Sequence, residues 1–518
     1  MKGQLTFTTD TTFALSENAR QRLHADCFFL SEEDAVGKLH IPGLSESETA
    51  LIAHRISTHK WKAELGSVLT FDEPSMMVVG IGKEAENGPL VLRHAVAELV
   101  RSATVAHVAS ITIFLFEKWL DDPIAAGRSV AIGYHLGNYS FEQYKSEKHK
   151  TEHVKQLNAM IIGQVEQDHM AAFEQGCRVG ELQSAGVYLA RDLVNQPGGM
   201  MGTEALVEVA REIADSSNGS ISLGVYDQAQ CAKMGMGAFL GVAKGSVQEP
   251  RFIVLEYKPS QLVKKTPTFC LIGKSVTFDT GGLSLKPAGA MEDMKIDMAG
   301  GAAVLGAFKS LALFSNDDME VGAHIYGILP ACENMPSGHA MRPGDVVAAL
   351  DGQTIEVLNT DAEGRLTLAD ALAYAQKHIK PDYIIDLATL TGACMVALGS
   401  EVAGVWGNNE KFMQVFEEGA VAEGDMCWRM PLRREYRTQL TSHVADIANI
   451  ANTKYGGAIT AALFLNDFVD EKMPWIHVDM AGPAYRDDRA RGVLTRGATG
   501  WGVLSLLSLV MEEALEKK

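Results

Sequence analysis

An α/β architecture in two domains joined by a helix is what this sequence predicts, and three observations predict it. Apolar, β-branched runs of strand length alternate with stretches of helical spacing, the pattern of a layered α/β fold. A helical stretch over about 164–194 divides an amino-terminal third from the remainder. The densest cluster of charged residues sits in a strand-to-helix turn, where α/β proteins place their chemistry.

The first domain is expected over residues 1–165. MMVVGIGK (76–83) and SITIFLFE (110–117) read as buried strands on either side of the helical LVLRHAVAELVRSA (90–103). KSEKHKTEH (145–153) reads as a solvated loop, followed by a strand at 157–162. Residues 166–195 form the connecting helix, and 196–518 the second domain. There, strands are expected at 252–257, 269–272, 321–329, 354–358, 383–387 and 475–478. Helices are expected at 298–313, 366–375 and 502–515. No internal repeat or low-complexity tract interrupts the pattern.

The octet NTDAEGRL (359–366) packs Asp361, Glu363 and Arg365 into five positions between the strand TIEVL and the helix LTLADALAYA. If the chain stays extended through Ala362, the Asp361 and Glu363 side chains project to one side with period 2. Carboxylates converging in this way repel unless they are protonated or bridged by cations. A second segment, GKSVTFDTGGLSLKPAGAMEDMKIDMAGGAA (273–303), carries Lys274, Asp279, Lys286 and Asp297 between glycine pairs. Gly300 and Gly301 would let the helix backbone approach a neighbour closely. Asp279, Asp297, Asp361 and Glu363 sum to four negative charges, which two divalent cations balance if Lys274 coordinates as a neutral amine. That is the charge pattern of a two-metal hydrolase, with cations about 3.5–4 Å apart. Oxygen ligands suit magnesium or manganese as well as zinc, so the donor set leaves the metal open.

The octet, with GKSVTFDTGGLSLK upstream and DLATLTGA (386–393) downstream, closely resembles the leucyl aminopeptidase family of cytosolic two-metal exopeptidases. The likeness runs from about 191 (RDLVNQPG) to about 510; before it, the likeness rests on arrangement more than on motif. The resemblance implies an amino-terminal α/β domain joined by a helix to an α/β metallopeptidase domain with a mixed central sheet. It implies two divalent ions per subunit, zinc or manganese and possibly cobalt or magnesium. Lys274 and Asp297 would complete the tighter site, Asp361 the more exchangeable one, with Asp279 and Glu363 as bridges. Lys286 would be the electrophile that stabilises an oxyanion. Gly364, Arg365 and Leu366 would hold a bicarbonate ion where a helix begins. Met294, Thr389, Gly392, Ala481 and Ala484 would line the pocket for the first side chain of a peptide, leucine or another large apolar residue by preference. A cytoplasmic homohexamer, a dimer of trimers, is implied as well. Two departures stand out: Ser275 replaces a usual glycine, and Ala484 a bulkier residue of some relatives.

Bulk properties exclude other classes. A net charge of −19 repels nucleic acid and anionic membrane, so neither is an expected partner. This weighs against the DNA-binding or recombination-accessory role of some family members; a dipeptidase acting on substrates such as cysteinylglycine is the other alternative. Seven scattered cysteines, never spaced CxxC, read as reduced packed thiols. No signal peptide or carboxy-terminal address shows, and the longest apolar stretch, 383–399, is broken by Asp386 and glycines. Three motifs mislead. GKS at 273–275 lacks the phosphate-loop glycine five positions before Gly273, where Thr268 stands. His149 and His153 have zincin spacing with Lys150 at the glutamate position, in a solvated segment. Met291, Met294 and Met298 have core-helix spacing, Met294 being set apart by falling three residues before a ligand.

Overall fold

The structure, a computed structural model, describes residues 4–10, 24–37, 39, 41, 44–72, 75–86, 88–162, 167–260 and 266–512. The chain divides into two compact units, Met1–Ser184 with Asp488–Arg496, and Ala185–Asp487 with Gly497–Lys518. The boundary falls inside one continuous helix, Gln167–Asn195, rather than at its ends. The segment Asp488–Arg496, which the sequence reading grouped with the carboxy-terminal domain, instead packs into the first unit. There the Gly492 N–H donates to Glu98 Oε1 at 2.6 Å, and Gly492 lies so close to the His94 ring that a Cβ would clash.

The first unit is a six-stranded sheet made of β1 (Gln4–Asp10), β2 (His24–Leu30), β3 (Val68–Asp72), β4 (Ser75–Gly80), β5 (Ser110–Phe116) and β6 (Gln156–Ile162). Its order is β1-β6-β5-β2-β4-β3, parallel throughout except for the β3–β4 hairpin. The helices Pro89–Val105 and Pro123–Gly137 pack against each other through small residues: a Cβ on Gly137 would sit 2.8 Å from Ala97 Cα.

The second unit is built on a nine-stranded mixed sheet. Its strands in chain order are β7 (Ile221–Tyr226), β8 (Arg251–Tyr257), β9 (Thr268–Gly273), β10 (Ser275–Asp279) and β11 (His324–Asn334). After the small strands β12 (Asp345–Ala348) and β13 (Thr354–Val357) come β14 (Tyr383–Ala388), β15 (Ala403–Gly407) and β16 (Cys427–Arg429), then the short β17 (Ile447–Ala448) and β18 (Trp475–Asp479). The order is β16-β15-β18-β14-β9-β11-β8-β7, with β10 continuing β9 alongside β11, while β12-β13-β17 form a separate sheet. The central strands β18, β14, β9 and β11 run parallel and are almost wholly buried, as expected when both faces are covered.

Lys274 interrupts the line of β9 and β10, its N–H donating to Leu387 O on β14 and its carbonyl accepting from Gly301 N–H. The helix Ala299–Asn316 can lie this close because it begins with glycines: a Cβ would sit 2.1 Å from Leu387 O at Gly300, and 2.1 Å from Ser275 Oγ at Gly301. Ser275, the departure noted in the sequence, fits by turning its hydroxyl to Gly273 O at 2.9 Å. By length and composition Ala288–Asn316 could cross a membrane, but 83% of its most apolar window is buried inside the fold. It is a core helix.

Candidate active site

The parallel strands deliver their carboxyl ends to one place. Lys274 and Asp279 follow β9 and end β10, Asn334 ends β11, Thr389 follows β14, and Asp479 ends β18. This is the crevice at strand carboxyl ends where open α/β sheets hold ligands. The octet joins them from the small sheet. It leaves β13 and enters the helix Gly364–Tyr374, but it does not stay extended: Thr360 and Asp361 form a turn closed by Ala362 N–H on Asn359 O at 3.3 Å. Asn449 imposes that turn. Its Oδ1 accepts from Leu358 N–H (2.9 Å) and Asn359 N–H (3.3 Å), and its Nδ2 donates to Asn359 O at 2.7 Å. Asp361 and Glu363 therefore diverge in environment instead of alternating on one strand face. The Asp361 side chain is 31% exposed, whereas Glu363, with helical φ and ψ, is buried to 2%.

Each lysine bridges two carboxylates. Lys274 Nζ lies 2.7 Å from Asp297 Oδ1 and 2.8 Å from Glu363 Oε1, and donates to Thr389 O at 3.1 Å. Its side chain runs across Gly364, where a Cβ would meet Nζ at 2.6 Å, so the glycine of the octet is a requirement of the lysine's path. Lys286 Nζ lies 2.6 Å from Asp279 Oδ2 and contacts Asp361 Oδ1. The two glycines Gly281 and Gly282, at φ +85° and +63°, reverse the chain that carries it, and Lys286 N–H closes the loop on Thr280 O at 2.9 Å.

Asp279, Asp297 and Glu363 are all buried, with ligand oxygens within 4.8 Å of one another, a group that can hold a metal ion. One buried oxygen there, Asp297 Oδ2, has no hydrogen-bond partner among the described residues, while Glu363 Oε1 meets Lys274 Nζ at 2.8 Å. Buried carboxylate oxygens left unpaired are costly, and a cation is the partner that relieves the cost. Four carboxylates against two ammonium groups also leave two negative charges uncompensated. The donor set thus fits a divalent cation.

Protonation equilibria respond to this crowding. Burial, then the neighbouring Glu363, pushes Asp279 up to about 7. Burial raises Asp297 well above the carboxylate range and raises Asp361 less. Burial opposes ionisation of Glu363 too, but Lys274 and Lys286 outweigh it and hold that carboxyl below its ordinary value. Burial works against both ammonium groups, yet Asp297 and Glu363 raise Lys274, and Asp279 and Glu363 raise Lys286. Without cations Lys274 is thus an ammonium ion pairing the carboxylates. The neutral amine that a ligand role requires would become available only if cations took over that charge.

Arg365 is buried; one terminal nitrogen donates to Asn449 O at 2.7 Å, and its Nε has no hydrogen-bond partner among the described residues. Burial lowers its pKa to about 10, Glu363 and Asp479 opposing, so it remains a cation with a free donor. Leu366 N–H, at the helix start where the resemblance places a bicarbonate ion, bonds Glu363 O at 2.9 Å. Of the pocket residues, Thr389 is buried and donates through Oγ1 to Asp297 Oδ1 at 2.9 Å. Asp479 gathers the next ones: its carboxylate accepts from Leu390 N–H, Ala481 N–H and Thr391 Oγ1. Gly392 is exposed at the start of the helix Gly392–Leu398, and Met294 is half-buried at the start of the turn that ends at Met298. Ala484 is buried, its carbonyl bonded to Thr499 N–H.

Thr360, inside the octet, helps to organise this site, and so do Asn334, Asn449 and Asp479, which were not singled out from sequence. Each of these three is a single polar residue whose partners lie far away in the chain, and no local pattern marks it. The misleading motifs resolve plainly: Lys274 of GKS sits among carboxylates, His153 bonds Ser140 Oγ at 2.9 Å, and His149 is exposed. All seven cysteines are free and buried.

Comparison with known proteins agrees with this geometry. Residues 188–507 match the family model for the cytosol aminopeptidase family catalytic domain, and residues 37–148 the model for that family's N-terminal domain. A probable cytosol aminopeptidase of Sulfurihydrogenibium sp. is 39% identical over 469 residues, 88% of this chain and 89% of that protein. One from Persephonella marina is 42% identical over 393 residues, 76% of this chain and 75% of its own. Among solved structures, a lysine-to-glutamate mutant of tomato leucine aminopeptidase superposes with a TM-score of 0.86 at 33% identity, covering 98% of this chain and 97% of its own. The bottromycin maturation enzyme BotP in complex with Mn gives a TM-score of 0.79 at 31% identity, over 94% and 98% of the two chains. The chain belongs to the cytosol aminopeptidase family and is a metal-dependent aminopeptidase.

Proposed function

We propose that the enzyme releases single residues, leucine or another large apolar residue by preference, from the free amino terminus of peptides in the cytoplasm. One observation carries the reading: two lysines, each set between a pair of carboxylates, around a buried oxygen of Asp297 that lacks a hydrogen-bond partner among the described residues. Lys274, Asp279, Asp297, Asp361 and Glu363 would hold two divalent cations, zinc or manganese with cobalt or magnesium as alternatives. When bound, these supply Lewis acidity toward the scissile carbonyl and an activated water. The manganese named with the BotP structure supports a divalent ion.

The chain's own groups do the rest. Asp297 receives the substrate α-amine, Lys286 donates to the carbonyl oxygen as charge develops there, and Arg365, with Gly364 and Leu366 beside it, would hold a bicarbonate ion, which when bound would supply a base. Met294, Thr389, Gly392, Ala481 and Ala484 surround the first side chain. None is charged. A leucine gains about 2 kcal/mol from burial against such a surface, and an aspartate enters unpaired at a cost.

The test is a screen of the purified enzyme over aminoacyl amides and peptides, chelated and then resupplied with zinc, manganese or cobalt, with and without bicarbonate. Chelation should abolish activity, leucyl substrates should lead, and amino-terminally acetylated peptides should be inert. Full activity after thorough chelation would falsify the reading; a preference for acidic residues would remove the pocket assignment, and indifference to bicarbonate the role of Arg365.

The same reading extends to assembly as a homohexamer, a dimer of trimers, closed symmetric oligomers being common among soluble enzymes. Light scattering at micromolar concentration should give the hexamer mass, and a monomer peak would overturn it.

A further inference from the structure

Asn334 closes β11 directly beside Asp279 at the end of β10, the two being register partners across the parallel pair. Its side chain is buried, and its Nδ2 lies 2.7 Å from Asp279 Oδ1 and 3.0 Å from Thr360 O. Both neighbours accept hydrogen bonds only, so the two amide hydrogens face them and the orientation of the carboxamide is fixed by the network. The carboxamide oxygen faces Gly282, where a Cβ would sit 2.8 Å away. Asn334 O in turn accepts from Thr280 N–H (3.0 Å) and Thr280 Oγ1 (2.8 Å), which anchors the residue itself.

The consequence for Asp279 is specific. Its Oδ1 already accepts from Gly281 N–H at 2.8 Å, and Asn334 adds a second donor. One carboxylate oxygen is thereby occupied, and Oδ2 is the one turned toward Lys286 at 2.6 Å. Through Thr360 the same amide ties Asp279 to the turn that carries Asp361 and Glu363. One side chain, 55 residues from Asp279 and 26 from Thr360, thus locks the two ligand-bearing segments to each other.

We propose that Asn334 is a positioning residue for cation binding: it holds Asp279 in one rotamer and fixes it against the octet, so that Asp279 and Glu363 meet an ion in a set geometry. This rests on the reading of Asp279 as a ligand. Partners that orient a ligand typically contribute 10–100-fold to metal affinity.

The probe is Mn(II), titrated by calorimetry into the full chain freed of metal. Asn334→Ala removes the carboxamide, and Asn334→Leu keeps its shape without its donors. Both should bind Mn(II) about 10–100-fold more weakly, while kcat at saturating Mn(II) stays close to wild type. Combined with Asp279→Asn, Asn334→Ala should cost little further affinity, because the effect runs through Asp279. Unchanged affinity in the single variants, additive losses in the double variant, or a kcat that stays low at saturating Mn(II) would each overturn the proposal. So would circular dichroism showing that neither single variant folds, which would make Asn334 structural. A wild-type chain that binds no Mn(II) would fail the metal-site reading itself, and that result needs no variant to be seen.

Discussion

Glu363→Ala is expected to bring peptidase activity down by at least about three orders of magnitude and to empty the site of metal, well beyond the 10–100-fold typical of losing an outer partner. Asp279→Ala should behave alike, and Asp361→Ala should cost distinctly less. The ordering follows from burial. Glu363 is wholly buried and faces Lys274, Asp279 and Asp297 at once, whereas Asp361 is about one-third exposed and stands outside that three-carboxylate group. A charge interaction at 4 Å is worth about 4 kcal/mol near a protein surface of effective dielectric 20, and about 1 kcal/mol in water. A carboxylate that water can reach is the weaker anchor. Removing Glu363 also leaves Lys274 with Asp297 as its one carboxylate partner, which loosens the side chain that has to present its amine. Steady-state kinetics at fixed metal, together with metal content by emission spectroscopy, settle the order. An Asp361→Ala enzyme as impaired and as metal-poor as Glu363→Ala would sink the assignment.

Much of the second unit was legible because its strands obey a simple rule. A strand buried on both faces is an apolar run, and β8, β9, β14 and β18 begin and end within about a residue or two of those runs. β11 was harder: the apolar run suggested 321–329, but the strand is His324–Asn334. Val321 is drawn out of the ladder by Tyr257, whose hydroxyl bonds both its N–H and its carbonyl. At the other end Pro330 reads as a stop, yet it falls between the register pairs Ile328↔Ile272 and Ala331↔Ser275, at the break Lys274 makes, where no donor is needed. The extra turn of strand is what brings Asn334 to Asp279.

The cluster was legible for a different reason. Four carboxylates and two lysines in two short segments have few structural uses, so their coming together could be read before any contact was known. How they converge could not. Period 2 predicted that Asp361 and Glu363 share a face, and Asn449, some ninety residues further along, bends the octet instead. Nor could the unit boundary be read from the helix Gln167–Asn195, whose pattern runs on through it, or the attachment of Asp488–Arg496 to the first unit, which depends on Glu98. Local pattern reports what a segment buries. It does not report which distant polar side chain holds a loop in place.

Lys286→Ala separates binding from chemistry most sharply. Its ammonium lies against Asp279 Oδ2 and Asp361 Oδ1, and although burial opposes its charge, Asp279 and Glu363 raise its pKa above that of an ordinary lysine. A lysine held protonated in this way cannot serve as a base or a nucleophile; it can offer hydrogens and positive charge to an oxygen that becomes negative in the transition state. Removing it also takes a positive charge away from two of the carboxylates, so nothing in the change weakens their attraction for cations. Turnover should therefore fall by roughly two to three orders of magnitude, the usual cost of losing one oxyanion-stabilising donor, with metal content unchanged and KM moving little. Lys286→Arg should recover only part of the rate, because a planar fork does not place its donors where a single ammonium does. Kinetics and metal analysis on the same preparations decide it: a Lys286→Ala enzyme that has lost its metals would make Lys286 a structural counter-charge, and one with undiminished kcat would leave the oxyanion to other groups.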